Sequence, residues 1–298
     1  MNSHPPSVSA PLASPRKAEA GPPLSWIFES IRLFRAHWGV VLSAYLVVLV
    51  VTLLLQVGVV TLMTGAGFAV TALAGIVVFV VSCLLNAGVL AVFHGVAERR
   101  PRFSDVVSGF NRHTVLHIVL MLVMMILMAV AVAGIVYLVT DVSAVSGQAF
   151  GPAGFEHWMD GGPGARNGGM ALGLSIIVGL ILLGLFAALF SFVIPLIVIA
   201  RQGVMRAMAN SLRASIRNVL VLLFFGINAI VFMQLLFIPV FAIGAASTSM
   251  IVMGVLAFIT SIVWGAVLGG AYYLSFRDIF LEAVSPETRA TDEQPLPA

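Results

Sequence analysis

The sequence predicts an all-α integral membrane protein. Six transmembrane helices are expected as three parallel helical hairpins, each preceded by an amphipathic interfacial helix. Three observations lead there. Of 298 residues, 60% are hydrophobic and only 9% charged, with a mean hydropathy of +1.10. A soluble domain carries roughly 25% charged residues, so this chain has too little polar surface to cover a globule in water. Next, Asp, Glu, Lys and Arg are absent from three long stretches, 36–97, 113–139 and 218–276. Finally, a comparable half-polar segment precedes an apolar run three times, at 30–41, 106–117 and 211–222.

Residues 1–23 are rich in Pro, Ser and Ala without periodicity and read as a flexible cytoplasmic tail. Arg16 and Lys17 stand too far from the first apolar run to open a signal peptide, so the N-terminus is expected to be uncleaved. Residues 24–38 show helical spacing of Leu24, Ile27, Phe28, Ile31, Phe34 and Trp38, with Glu29, Arg32 and Arg35 opposite. Such a helix lies in the headgroup layer with its apolar face down, and Trp38 stands where the chain enters the bilayer.

A span needs roughly 20 residues, so the stretch 36–97 must hold two, about 40–60 and 68–93, with a turn at 61–67. A third span is expected at 115–140 and a hydrophilic, Gly-rich extracytoplasmic loop at 141–169. The fourth span covers 170–200, and Pro195 should bend its end. The stretch 218–276 again holds two spans, about 219–243 and 251–276, with a turn near 244–249. Residues 282–298 form an acidic, Pro-containing cytoplasmic tail. Every Lys and Arg except Arg166 lies on one side of this arrangement. The positive-inside rule then places both termini in the cytoplasm.

Aligning the three pre-span segments sets Ser30 against Ser211, Arg32 against Arg213, Phe34 against Phe110, and His37 against His113 and Asn218. Parallel repeats imply an axis along the membrane normal. On four passages, WIFESIRLFRAHW (26–38), RFSDVVSGF (102–110), GVMRAMANSLRASIRN (203–218) and SFRDIF (275–280), the chain resembles a family of six-span bacterial inner-membrane proteins. More distantly it is similar to the membrane domain attached to some glycerophosphodiester phosphodiesterases. The resemblance implies a bacterial inner-membrane location and a six-helix fold over about 24–281. It implies no established activity, and therefore carries no catalytic residue. The long loop at 141–169 departs from the family's shorter connection.

Chemistry is sparse. No Asp or Glu falls within a predicted span, which argues against carboxylate-based ion coupling and against aspartyl or zinc intramembrane proteolysis. No nucleophile elbow is present. Met121, Met124, Met125 and Met128 share a helix face with His113 and His117, but one segment alone does not make a copper site. The lone Cys83 sits in an apolar run and reads as a small buried side chain. No catalytic residue, metal or cofactor is expected.

Four amides lie within spans, Gln56, Asn86, Asn228 and Gln234. They read as interhelical hydrogen bonds or as a polar route for a substrate. Gly265 and Gly269, extended by Ser261, form a helix-packing face. Arg99, Arg100, Arg102, Arg206, Arg213 and Arg217 stand beside amphipathic segments, where each can bind an anionic headgroup for about 1 kcal/mol. No basic run is interleaved with aromatics, so nucleic acid is not an expected partner. The expected partners are membrane lipids and a second copy or another membrane protein. The expected role is that of a non-enzymatic envelope or assembly factor acting through lipid or protein contacts. The competing class is a small-molecule transporter or channel at the junction of the three units.

Overall fold

Apolar runs of this length have one way to satisfy their backbone in hydrocarbon, which is to bond within a helix. In the computed structural model, which describes residues 15–18, 24–63, 67–139, 182–247 and 249–281, every regular element is helical. Five helices are long and apolar enough to cross a membrane: α2 (Trp38–Met63), α3 (Phe68–Ala97), α4 (Arg112–Val139), α7 (Val219–Ser247) and α8 (Met250–Phe280). Their apolar spans run from 23 to 30 residues. At ~1.5 Å per residue even the shortest exceeds the roughly 30 Å hydrocarbon layer. A sixth apolar helix, α5 (Leu182–Val198), is shorter. It falls inside the fourth predicted span, whose earlier residues, like the 141–169 loop and the 282–298 tail, lie outside the described set.

Three shorter elements stand beside them among the described residues: α1 (Leu24–Ala36), a 3-10 helix (Phe103–Phe110) and α6 (Val204–Arg217). Each overlaps one of the three repeated segments; α1 and the 3-10 helix rest on the ends of the long helices α8 and α3, and α6 rests on the shorter α5. The 3-10 helix crosses α3 at Gly88 and Gly109. A Cβ on Gly88 would collide with the Val106 carbonyl, and one on Gly109 with the Leu84 carbonyl. Backbone meets backbone here because neither side has a side chain to interpose. On α8, the Ser30 hydroxyl of α1 donates to the Val267 carbonyl at 2.6 Å, and Gly270 leaves room for it. On α5, the Ser211 hydroxyl of α6 donates to the Ala188 carbonyl at 3.0 Å and accepts from the Phe192 amide at 3.0 Å. That hydroxyl is inserted into the i→i−4 ladder of α5, a recognised cause of a helix break. The aligned serines Ser30 and Ser211 thus make the same kind of bond on two different helices.

Pro195 completes the break in α5. It has no N–H, so the Ser191 carbonyl loses its helical partner. The Tyr272 hydroxyl of α8 donates to that carbonyl instead. The last turn, Val193–Val198, then restarts as helix.

The core follows from these dockings. Its residues lie at the elbow end of the long helices: Val41, Ala44 and Val48 on α2, Cys83 to Val96 on α3, Ile118 and Met121 on α4, Phe192 to Ile197 on α5, and Trp264 to Phe280 on α8. Phe93 stacks on Tyr273 with ring centroids 6.4 Å apart, and Phe192 on Tyr272 at 5.8 Å. Toward their other ends, α2 and α7 turn Leu54, Val57, Leu235 and Ile238 outward.

Several expectations change in detail. The second and sixth spans run on as helix to Ala97 and Phe280, because amphipathic final turns dock on the elbows. The second elbow is 3-10 rather than α. The apolar face of α1 does not simply point into the headgroup layer. Trp26 and Ile27 are buried against the protein, where the Trp26 indole donates to Asp278 at 2.7 Å, and Phe28 is the residue left outside. Within the tail read as flexible, residues 15–18 are docked. The Arg16 amide donates to the Ile279 carbonyl at 3.0 Å. Asn218 clamps the segment from the other side, accepting from the Ala18 amide at 2.8 Å and donating to the Arg16 carbonyl at 3.2 Å.

Candidate functional site

Among the described residues, charge gathers at the helix termini of the elbow end, and three features of the molecule emerge. The first is the outer surface of the elbows. On α6, helical spacing puts Met205, Ala209 and Ile216 on one strip and Arg206, Arg213 and Arg217 on the next. Met205 and Ile216 are 65% and 64% exposed, and all three arginines are exposed. Arg217 donates to the Pro15 carbonyl at 3.1 Å. Among the described residues, Arg206 and Arg213 have no ion-pair partner. The same juxtaposition recurs on α1, with exposed Phe28 beside Arg32 and Arg35, and on the 3-10 helix, with Val107 and Phe110 near Arg102 and Arg112. Apolar side chains left in the open next to arginines suit the boundary between acyl chains and headgroups.

The second feature is a polar cavity of about 810 Å³ between the end of α3, the 3-10 helix, the start of α4 and the end of α5. Arg100, Arg102 and Arg201 line it together with Glu98, Asp105 and His94. The His94 Nδ1 lies 3.0 Å from the Tyr273 hydroxyl, and its Nε2 lies 3.4 Å from Glu98 Oε1. Arg99 and Arg201 adopt left-handed backbone, φ 58° and 49°, one just past the end of α3 and the other just past α5. Such a residue turns the chain sharply after a helix. Of the arginines expected to meet headgroups, Arg100 and Arg102 therefore face a cavity. Arg99 is exposed but does not line it, and Arg206, Arg213 and Arg217 form the separate outer row on α6.

The third feature is a smaller cavity of about 440 Å³ at the junction of α2, α3, α5 and α8, lined by Tyr45, Asn86, Ser191, Gly265, Gly269 and Tyr272 among others. Gly265 and Gly269 face Tyr45: a Cβ on Gly265 would lie 3.3 Å from its ring, and one on Gly269 would strike its hydroxyl. This glycine face packs within the chain. The four intramembrane amides do not converge. Asn86 alone borders the cavity, and its amide donates to its own helix at Ser82, 2.8 Å away. Asn228 likewise bonds back to Phe224 at 2.7 Å, while Gln56 and Gln234 are exposed.

Sequence reasoning missed His94, Glu98, Asp105 and Arg201 as a group. The His94–Glu98 spacing of i, i+4 in the last turn of α3 was the one local signal available. No group of three or more metal-ligating side chains occurs among the described residues.

Fold and charge placement together define an all-α, multi-pass membrane protein. Compared with known proteins, the chain matches no family model, no curated protein and no solved structure.

Proposed function

We propose that this chain is a six-span protein of the bacterial inner membrane, with both termini cytoplasmic, that acts without catalysis as an envelope or assembly factor. Lipid contact through its cytoplasmic elbows is the core of the reading, and α5 is the visible end of the remaining span. The observation that carries it is the α6 surface, where exposed Met205 and Ile216 adjoin Arg206 and Arg213. A purely topological role for those arginines would not require an open apolar strip beside them. Anionic headgroups offer about 1 kcal/mol per basic residue at such a surface. The double variant Arg206→Glu/Arg213→Glu should therefore lose most co-purifying anionic lipid, measured by mass spectrometry of protein released from mild detergent. An unchanged lipid complement would contradict the reading. Arg217 is left intact in this test because it also holds Pro15.

The transporter or channel reading rests on the 440 Å³ cavity at the helix junction. It is the weaker one, since Gln56, Asn228 and Gln234 stand away from that cavity and supply no continuous polar route.

A further inference from the structure

We propose that the 810 Å³ elbow-end cavity binds a phosphoethanolamine group, a phosphate joined to a primary ammonium, whether carried by an amine-bearing phospholipid or by the free compound. The inference deepens the lipid-contact reading and rests on it for the depth of the cavity in the membrane. Its lining comes from the ends of helices that themselves have membrane-crossing composition. Gly95 and Glu98 lie at the end of α3, His113 and Thr114 open α4, Val198 ends α5, and Ile199 and Arg201 follow it. A polar hollow at that level opens where headgroups lie.

The charges of the lining select the ligand. Arg100, Arg102 and Arg201 have no ion-pair partner among the described residues, although all three border one cavity. Three guanidinium groups against two carboxylates, Glu98 and Asp105, leave the lining with a surplus of positive charge. A phosphate relieves this, since each planar fork can donate two bonds to its oxygens. A phosphate alone leaves the other half of the lining unanswered. Glu98 and Asp105 border the same space, and Glu98 Oε1 is buried without a hydrogen-bond partner. The His94 Nε2 lies 3.4 Å from that oxygen. A buried carboxylate oxygen is costly to leave unsatisfied, and a primary ammonium brings three donors. A quaternary ammonium brings none, so the lining distinguishes an ethanolamine from a choline headgroup. A metal ion fits poorly, because the described residues supply no set of three ligands.

The test places the full chain in phosphatidylcholine nanodiscs doped with equal amounts of phosphatidylethanolamine and phosphatidylglycerol, and measures retained lipid by native mass spectrometry. Wild type should retain phosphatidylethanolamine in preference to phosphatidylcholine, beside the phosphatidylglycerol held by Arg206 and Arg213. Arg102→Gln with Arg201→Gln should weaken that retention by about tenfold or more, the scale of losing charge-assisted bonds. Glu98→Gln, which keeps the shape of the side chain, should keep the bound phospholipid but erase the preference for ethanolamine over choline. Both variants are required to elute as wild type does. Soluble O-phosphoethanolamine distinguishes the sources: competition at micromolar concentration assigns the free compound, and failure to compete beside retained lipid assigns the headgroup. Equal retention of the three lipids together with no binding of O-phosphoethanolamine would overturn the proposal. So would a preference untouched by both cavity variants. Loss of ethanolamine selectivity with anionic lipid still held by Arg206 and Arg213 would end this inference alone, whereas anionic lipid indifferent to those two arginines would end the broader reading.

Discussion

The two ends of the long helices are built on different rules. At the elbow end, α3 presents an almost unbroken series of buried residues from Cys83 to Val96, and α8 does the same from Trp264 to Phe280. Backbone carbonyls there accept from Ser30, Ser211 and Tyr272. At the opposite end, α2 exposes Leu53, Leu54, Val57 and Val60, and α7 exposes Leu235, Leu236 and Ile238. α7 is outward-facing beside the elbow as well, where Leu220 and Phe224 are exposed, so it is the helix that the dockings leave out. Composition does not distinguish the two ends, since both are apolar. What differs is whether small and hydroxyl-bearing residues meet a partner: at the opposite end Gly58, Gly67 and Gly75 have nothing within 4 Å of where a Cβ would stand. In hydrocarbon, apolar surface by itself gives helices no reason to associate, so contact collects where Gly88, Gly109, Gly270, Ser30 and Ser211 permit close approach.

Three substitutions would sharpen or break that contrast. The largest effect is expected from Gly88→Leu. A Cβ at this position already collides with the Val106 carbonyl, and backbone cannot yield as a flexible side chain can. The elbow should detach, with a loss above ~3 kcal/mol, read as aggregation or loss of the monodisperse species on gel filtration. A wild-type profile would show that the 3-10 helix is not held at α3 in the way described. A smaller effect follows from Ser211→Ala, which removes the donor to Ala188 and the acceptor for the Phe192 amide. The Ala188 carbonyl keeps the Ser215 hydroxyl at 3.2 Å, but leaving the buried Phe192 amide unsatisfied should cost about 1–3 kcal/mol. It should appear as a lower midpoint of thermal unfolding in detergent, while Ser211→Thr retains part of the stability. Least of all is expected from Leu54→Ala. Leu54 is 67% exposed, so its removal should shift stability within ~0.5 kcal/mol. A large loss there would mean that the outward face of α2 is covered by protein.

Much of this fold is legible in the sequence, and the reasons are physical. Charge-free stretches announce spans because a charge is expensive in hydrocarbon. Five of the predicted spans coincide with helices of crossing length. The elbows are legible through periodicity, and the Ser30–Ser211 alignment pairs two residues that play one structural role. The docking partners are not legible. Nothing near Ser30 in sequence points to Val267, and nothing near residues 15–18 points to Asn218 and Ile279. The cavity was hidden for the same reason. His94, Asp105 and Arg201 come from separate segments, and proximity between them exists only after the 3-10 helix has packed on Gly88. Arginines that look alike in sequence separate into two populations once folded, one facing the cavity and one facing outward from α6.

The account turns on where the elbows lie, and the most direct test is the depth of α6 in a bilayer. Single nitroxide labels at Met205, Arg213 and Ile216 would be compared by accessibility to oxygen and to a polar nickel chelate. The prediction is that labels at Met205 and Ile216 lie about 5–10 Å below the headgroup boundary, rich in oxygen contact, while the label at Arg213 lies among the headgroups. Labels at Met205 and Ile216 reporting full contact with the nickel chelate would place α6 in water and contradict the account.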